Sequence, residues 1–255
     1  MADRIEAVAI AGLGEIVPGD DLPSLIAEAL ASSGEVLPLR DDDALVVTQK
    51  VVSKAEGAVV DLTRIEPRPE AVAFAEQWDR DPRQVEVVMR EARRIVRMAN
   101  GVIITETDHG FVCANGGVDA SNVGPASGSV VTLLPRDPDG SAATIRVAIR
   151  DRLGHDLPVI ISDSFGRPWR FGIVDVAIGV SGLLPLEDLR GSPDADGRVM
   201  RSTIRAVADE LASAAELVLG KTAGRPLALV RGARFQHGEG RIADTLIPAS
   251  MDLFR

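Results

Sequence analysis

The chain has 255 residues, of which 45% are hydrophobic and 3% aromatic, and its formal net charge is −10 at pH 7. This apolar content is enough for a substantial core, in one domain or in two interlocked ones, and it argues against disorder. The acidic balance and the few aromatic side chains argue against a nucleic-acid-binding protein, which needs a basic face and rings for base stacking.

The sequence has no run of about 18 apolar residues, and its N-terminus lacks the basic start and apolar stretch of a signal peptide. A single cysteine, Cys113, cannot form an internal disulfide. We therefore expect a cytoplasmic protein with no membrane partner. Cys113 alternates with apolar neighbours, so we interpret it as a core residue rather than a nucleophile.

The first elements in chain order mix strand and helix. Apolar patterning predicts strands over 5–10 and 44–48, with a helix over 22–30 between them. The acidic run 41–43 is interpreted as a solvated face before the second strand.

The middle of the chain begins as helix and then turns to strand. Helices are predicted over 70–78 and 82–93, with Pro82 suited to the first helical position. The segments 102–105 and 111–114, separated by turn-forming residues, predict a hairpin.

The last third alternates again. We predict a helix over 137–153, a buried strand over 157–163, a long helix over 198–219 that Gly220 ends, and a strand over 226–231. The fold class is therefore α+β, with mixed sheets and helices.

Chemistry-bearing side chains are concentrated around Asp163. A carboxylate placed by a strand end is a common ligand for Mg²⁺ or Mn²⁺, which prefer oxygen, and Ser164 follows it directly. Arg167 and Arg170 suit a bidentate grip on carboxylate or phosphate. The alternative is a simple turn with two solvated arginines.

A second group surrounds Asp119. Asp119 and Asn122 could present a carboxylate and an amide on one face of a turn, although such residues also cap turns. The glycine pair 116–117 before them would let backbone amides approach a ligand. Lys54 could reach a phosphate, or lie at the surface with a solvated ammonium group.

Common motifs are absent from the sequence. The segment 220–222 looks like the end of a Walker A loop, but Ala215 stands where that loop requires glycine. No dinucleotide-binding glycine motif, zinc-binding motif or serine-hydrolase motif occurs.

Four motifs in order resemble the coenzyme F-420:L-glutamate ligase family. They are 48–57 (TQKVVSKAEG), 118–122 (VDASN), 161–170 (ISDSFGRPWR) and 229–232 (LVRG). The similarity begins at 12–20 (GLGEIVPGD) and spans nearly the whole chain.

The resemblance implies a GTP-dependent γ-glutamyl ligase that needs Mn²⁺ or Mg²⁺, with K⁺ as a further candidate ion. Its substrates would be L-glutamate and a deazaflavin, the coenzyme F-420 precursor, whose tail it extends through γ-linkages. The resemblance also implies an uncommon two-part fold and an intertwined homodimer. Residues 1–255 would form a single ligase unit, stand-alone or trimmed, without the C-terminal nitroreductase-like domain of mycobacterial-type relatives.

The resemblance also assigns site residues. Those implied to contact GTP are Leu13, Gly14, Glu15, Ile16, Gln49, Lys54, Asn122, Leu219, Gly220, Lys221, Thr222, Ala223, Gly224, Arg225 and Pro226. Asp119 and Asp163 would hold one metal, and Ser164 and Lys221 would lie near a second. We expect Asp163, Lys54, Arg167 and Arg170 to carry the catalytic work.

Two positions depart from the family pattern. Archaeal-type members tend to have a small hydroxyl residue in place of Gln49 and a neutral or acidic metal-binding residue in place of Lys221. An ammonium group cannot ligate a cation. Either the second metal is absent, or Lys221 replaces its charge and touches phosphate directly.

Two other functions remain open on the sequence alone. One is a metal-dependent phosphotransferase or hydrolase that acts on another nucleotide and uses no amino acid. The other is a non-catalytic GTP-binding module, which would bind the nucleotide without turnover.

Overall fold

A computed structural model describes residues 4–34, 37–121 and 128–253 of the chain. The helices are α1 Leu22–Ser33, α2 Gln49–Ala55, α3 Pro69–Trp78, α4 Pro82–Glu91, α5 Pro138–Leu153 and α6 Val207–Leu219. The strands are β1 Glu6–Ile10, β2 Ala44–Thr48, β3 Val59–Asp61, β4 Arg94–Ala99, β5 Val102–Glu106, β6 Val112–Ala114, β7 Val130–Thr132, β8 Val159–Arg167, β9 Arg170–Ser181, β10 Glu187–Asp188, β11 Ile204–Arg205 and β12 Leu227–Arg231. The α+β prediction is confirmed.

Three helices begin at an aspartate followed by proline within the first turn. The side chains of Asp21, Asp81 and Asp137 accept hydrogen bonds from backbone N–H groups at the starts of α1, α4 and α5. These bonds satisfy donors that have no partner within the helix, and proline costs nothing where no N–H is needed. Gly154, in the left-handed region at φ 76°, ends α5.

The central sheet has five strands among the described residues, in the order β1-β12-β2-β8-β9. β2 and β8 are parallel, and the other neighbours are antiparallel. Helices α1 and α5 pack against each other, α5 covers β8 and β9, and α6 packs on β9, β1 and β12. The buried faces of these elements form the largest apolar core.

A second lobe lies between α2 and α5 in sequence. Helices α3 and α4 pack together against the three-stranded sheet β4-β5-β6, and β3 pairs with β7 beside them. Phe74, Val85, Val88 and Ile103 form its small core. The lobe meets the central sheet where β6 contacts β8 and α2 contacts β7.

Several predicted elements are confirmed, including the hairpin of β5 and β6 and both helices before it. The long helix predicted over 198–219 is wrong in its first half, because β11 occupies Ile204–Arg205 and α6 begins at Val207. The strand predicted over 157–163 continues to Arg167, so Asp163 lies within β8 rather than at its end. β8 is extended because β9, which the sequence did not predict, pairs along its whole length.

Asp43 lies in the core rather than on a solvated face. The Arg231 Nε and Nη2 atoms donate to its two carboxylate oxygens at 2.6 and 2.7 Å, and Asp43 is 0% exposed. Nη2 also donates to the Pro38 carbonyl at 2.8 Å. This bidentate pair joins β12 to the turn before β2. The prediction that residues 41–43 form a solvated face is therefore wrong for Asp43.

Cys113 is buried, as expected, and burial raises the pKa of its thiol to about 12. Across the described ranges, every helix is too short or too polar to span a bilayer.

Candidate functional site

The segments after β1 and β2 meet at one edge of the central sheet. Ile10, at the end of β1, lies opposite Leu227, and Leu227 also lies opposite Val47 near the end of β2. Thr48 is aligned with Ser162 of the parallel strand β8. The ends of β1 and β2 therefore lie beside the start of β12 and the middle of β8 at this edge of the sheet.

A cleft of about 970 Å³ opens at this edge. The second lobe supplies one wall through Asp119 and Ser121, and the β8–β9 pair and the end of α6 supply another. Its volume suits a small molecule of nucleotide size. The cleft is therefore the candidate site.

Asp119 is held in its ionised form. Its backbone pairs with Thr132, its Oδ2 atom accepts a hydrogen bond from Lys50 Nζ at 2.5 Å, and its Oδ1 atom accepts one from the Ser121 N–H at 2.7 Å. Burial acts to raise the pKa of Asp119, but the hydrogen bonds from Lys50 and Ser121 outweigh it and lower the pKa.

Asp163 is shifted in the opposite direction. Burial raises the pKa of its carboxyl to about 7, the charges of Asp119 and Asp175 add to the rise, and the Ser164 N–H and Lys50 oppose it only in part. A cation in the cleft would therefore stabilise the ionised form of Asp163.

Asp175 lies opposite Ser164 on the neighbouring strand β9, and it is 3% exposed. Its Oδ1 atom accepts hydrogen bonds from Ser164 Oγ at 2.6 Å and from Lys221 Nζ at 2.8 Å. Lys221 Nζ also contacts Ser164 Oγ and lies 2.8 Å from Glu216 Oε1 on α6. Burial lowers the pKa of Lys221, but the bonds to Asp175 and Glu216 outweigh it and raise the pKa.

Asp119 and Asp163 could together hold one hard divalent cation if the Lys50 ammonium group, which now lies 2.5 Å from Asp119 Oδ2, releases that oxygen. The two carboxylates line the same cleft and are close enough for Asp119 to raise the pKa of Asp163, and Ser121 supplies a neighbouring hydroxyl. Within the described part of the chain, no three His, Cys, Asp or Glu residues form a ready-made metal cage. The remaining ligands would be water or substrate oxygens, as is usual for Mg²⁺.

A second metal at Ser164 and Lys221 does not fit these side chains. The Lys221 ammonium has donors and no acceptor, and it already contacts Ser164, Asp175 and Glu216.

Most of the residues predicted to bind nucleotide line the cleft. They are Leu13, Gly14, Glu15, Ile16, Gln49, Lys54, Leu219, Gly220, Lys221, Thr222, Gly224, Arg225 and Pro226. Ala223 lies in the same loop without contributing to the lining, and Asn122 falls outside the described residues.

Arg167 and Arg170 lie elsewhere, at the tip of the β8–β9 hairpin, where they pair with each other across the turn. Neither lines the cleft. Arg167 Nη2 donates to the Phe171 carbonyl at 2.8 Å, so one role of Arg167 is to brace the turn. Their assignment to substrate anions stays a prediction.

Gln49 and Lys54 belong to α2, an element that the sequence did not predict. Gln49 is 2% exposed, and its Nε2 atom donates to Ser53 Oγ at 2.5 Å and to the Leu133 carbonyl at 2.8 Å. Much of its bonding capacity therefore holds α2 in place. Lys54 Nζ lies 2.7 Å from Glu15 Oε1 and joins α2 to the loop after β1.

The glycine pair before Asp119 has a packing role. Gly116 and Gly117 have φ angles of 60° and 70°. A Cβ atom on Gly117 would lie 2.5 Å from a Leu134 side-chain atom, and one on Gly116 would lie 3.2 Å from Thr105 Oγ1. Neither glycine lines the cleft, and the proposal that they bring backbone amides to a ligand stays a prediction.

Sequence reasoning missed Lys50, Asp175 and Glu216. A signal for Lys50 was present, because the chain has only three lysines, at 50, 54 and 221, among 28 basic residues. All three line the cleft. Asp175 and Glu216 carried no such signal, because they enter through β9 and the last turn of α6.

Comparison with known proteins gives one consistent result. The sequence model of the family described as F420-0:Gamma-glutamyl ligase matches residues 12–232. A protein of Methanothermobacter thermautotrophicus named Coenzyme F420:L-glutamate ligase is 44% identical over 254 residues, which is 98% of this chain and 99% of the relative. A protein of the same name from Methanopyrus kandleri is 47% identical over 99% of this chain and 97% of its own length. Another, from Methanocaldococcus jannaschii, is 45% identical over 86% of this chain and 86% of its own length.

Proposed function

The chain belongs to the F420-0:Gamma-glutamyl ligase family, and we propose on this premise that it joins L-glutamate to the deazaflavin coenzyme F420 precursor at the expense of GTP. The relatives' shared name, Coenzyme F420:L-glutamate ligase, supports the two substrates. We propose further that the reaction uses GTP and a divalent cation held by Asp119 and Asp163.

The distribution of charge in the cleft supports the use of GTP and a divalent cation. In a chain with a net charge of −10, all three lysines and Arg225 line one cleft together with five acidic residues, among them Asp119 and Asp163. Cationic side chains beside paired carboxylates suit a nucleotide polyphosphate that brings its own divalent cation.

The reaction needs an activated carboxylate, because a free carboxylate oxygen is a poor leaving group. We infer that a carboxylate oxygen of the substrate tail attacks the γ-phosphorus of GTP, the bond to the β–γ bridging oxygen breaks, and GDP leaves. The glutamate amine then attacks the acyl carbon of the acyl phosphate, loses a proton and expels inorganic phosphate.

The residues of the cleft divide this work. Lys54 can donate to phosphate oxygens from its position beside Glu15, and Lys50 fixes the orientation of Asp119. Asp119 and Asp163 would hold a divalent cation that, when bound, neutralises phosphate charge and helps orient the γ-phosphoryl group. The second lobe and the α6–β12 loop border the cleft, and with substrates bound they would limit the access of water to the acyl phosphate.

We retain Arg167 and Arg170 as candidates for the substrate's phosphodiester and carboxylate groups. They lie on the hairpin that begins at the cleft wall, so a long substrate could reach them while its reacting carboxylate stays near Asp163. Arg170→Ala should raise the KM for the deazaflavin and leave GTP affinity unchanged. An unchanged KM would remove Arg170 from the substrate site.

The function is tested by incubating the protein with the unglutamylated deazaflavin, GTP, Mn²⁺ and L-glutamate and reading the product masses. We expect mass increments of one glutamyl unit and release of one GDP for each unit. Asp163→Asn should abolish this activity, because it replaces a metal-binding carboxylate. Full activity of the variant would contradict the metal assignment.

Omitting substrates from the same assay separates the two other functions. Phosphate released from GTP without glutamate, and with no ligated product in the complete mixture, would indicate a phosphotransferase or hydrolase. GTP binding without GDP formation in any mixture would indicate a non-catalytic module. ATP in place of GTP tests the choice of nucleotide.

We also propose that the protein forms a homodimer, as the family resemblance implies. Trp169, Phe171 and Ile173 on the β8–β9 hairpin are 82%, 104% and 52% exposed, which gives an apolar surface for a second copy. Phe171→Ser should shift the molar mass measured by light scattering towards the monomer. A wild-type protein that is monomeric at micromolar concentration would refute the dimer.

A further inference from the structure

Three oxygen-bearing side chains converge on the ammonium group of Lys221. They are Asp175 and Glu216, each 2.8 Å from Lys221 Nζ, and Ser164, whose Oγ atom Nζ also contacts. Two carboxylates and a hydroxyl directed at one point form the kind of donor set that a hard divalent cation prefers. In this chain a lysine already occupies that point.

We propose that Lys221 is a built-in cation that takes the place of a second divalent metal, so that the cleft binds one such ion, at Asp119 and Asp163. The inference deepens the proposed function and rests on it for the role of the cleft. It concerns the number of metal ions, which can be measured without ligase activity.

The donor set is held by contacts that do not depend on Lys221. Asp175 Oδ1 accepts from Ser164 Oγ at 2.6 Å, and the Asp175 N–H donates to Glu216 Oε2 at 3.0 Å. Ser213 Oγ donates to the Asp175 carbonyl at 2.7 Å. Strands β8 and β9 and helix α6 thus fix the oxygens, and removing the ammonium group should leave an anionic pocket.

Charge explains why one ammonium group can fill this pocket. A lysine ammonium has three N–H donors, and Ser164, Asp175 and Glu216 all supply acceptor oxygens to it. A second divalent ion close to it would meet electrostatic repulsion and would find its oxygen ligands already engaged. Lys221 follows Gly220, at the end of α6, and its side chain reaches Asp175 on β9.

The test counts bound Mn²⁺ by electron paramagnetic resonance, with Mn²⁺ alone and with Mn²⁺ plus GDP. We expect wild type to bind about one Mn²⁺ per chain, and Lys221→Gln to bind about two, because the variant exposes the two carboxylates as ligands. Lys221→Arg keeps the positive charge and should stay at about one.

Two further variants sharpen the test. Lys54→Gln is a matched control, since it removes a lysine from the same cleft whose ammonium group is paired with one carboxylate, Glu15, and it should not add an ion. The double variant Lys221→Gln/Glu216→Gln removes a ligand of the new site and should return the count to that of wild type.

Three results would overturn the inference. They are two Mn²⁺ ions in wild type, no added ion in folded Lys221→Gln, or an added ion that persists in the double variant. Folding of each variant is checked by circular dichroism, and Lys221→Gln should gain more thermal stability from Mn²⁺ than wild type does. A protein that shows this pattern but ligates no glutamate would refute the proposed function and leave the inference standing.

Discussion

Replacing Asp163 with asparagine should stabilise the metal-free protein at neutral and alkaline pH. The pKa of Asp163 rises from its ordinary value of 3.8 to about 7, chiefly because the carboxylate is buried. When the group ionises, the folded state carries a poorly compensated charge that the unfolded chain leaves in water. Asparagine has nearly the same shape and no charge.

The pKa shift sets the size of the effect. A rise from 3.8 to about 7 is about 3 pH units, or about 4 kcal/mol at about 1.4 kcal/mol per unit. Because Asp163 lies at the wall of an open cleft and keeps some contact with solvent, water screens part of this penalty, and we expect a gain of about 1–3 kcal/mol.

The pH dependence follows from proton binding. Between pH 4 and 7, roughly, the folded wild type keeps a proton that the unfolded chain has lost, so its stability falls as the pH rises. The advantage of Asp163→Asn should therefore be small near pH 4, grow to about pH 7 and stay constant above it.

The assay is urea unfolding of wild type and Asp163→Asn in EDTA at several pH values. Asp175→Asn is the matched control: its carboxylate is paired with Lys221, so its loss should destabilise the protein. With saturating Mn²⁺, wild type should become more stable to urea than Asp163→Asn, because only wild type keeps both metal-binding carboxylates. A variant that is less stable than wild type at pH 8 in EDTA would refute the reasoning.

Three further outcomes follow from the structure. Acylation with an N-hydroxysuccinimide ester, followed by peptide mapping, should label only the N-terminal amine and the three lysines. If all three lysines face the nucleotide, GTP with Mn²⁺ should protect them from acylation. Gln49→Ala should lower the free energy of unfolding by about 0.5–1.5 kcal/mol, since it removes one buried hydrogen bond to the Leu133 carbonyl and leaves that carbonyl only its bond from Ser53 Oγ, whereas an effect on GTP affinity alone would point to a nucleotide contact. Arg231→Met should cost about 3–5 kcal/mol because Asp43 remains buried without its partner, and a neutral result in urea unfolding would show that water reaches Asp43.

Local sequence patterns predicted the elements that depend on local physics. Aspartate followed by proline set the starts of α4 and α5, and two strand-like segments separated by turn-forming residues identified the hairpin of β5 and β6. The same patterns failed at α6, where the helical signal extended into 198–206 although the backbone there forms β11 and turns.

The candidate site was predicted only in part. Leu13, Asp119 and Asp163 lie in short motifs that the chain shares with a family, and the resemblance to that family also assigned the loop 219–226. Asp175 and Glu216 were not, because a carboxylate in a strand or helix carries no local sign of what lies across from it.

The sequence by itself determined the fold class, the starts of most helices and, through its ordered motifs, the family. Only the tertiary structure decided that Asp43 is buried against Arg231, that Arg167 and Arg170 lie at a hairpin tip, and that Lys221 sits between Asp175 and Glu216. The physical reason is distance along the chain: helix caps and strand alternation act within a few residues, whereas the Lys50–Asp119 and Lys221–Asp175 pairs of the site join residues 69 and 46 positions apart.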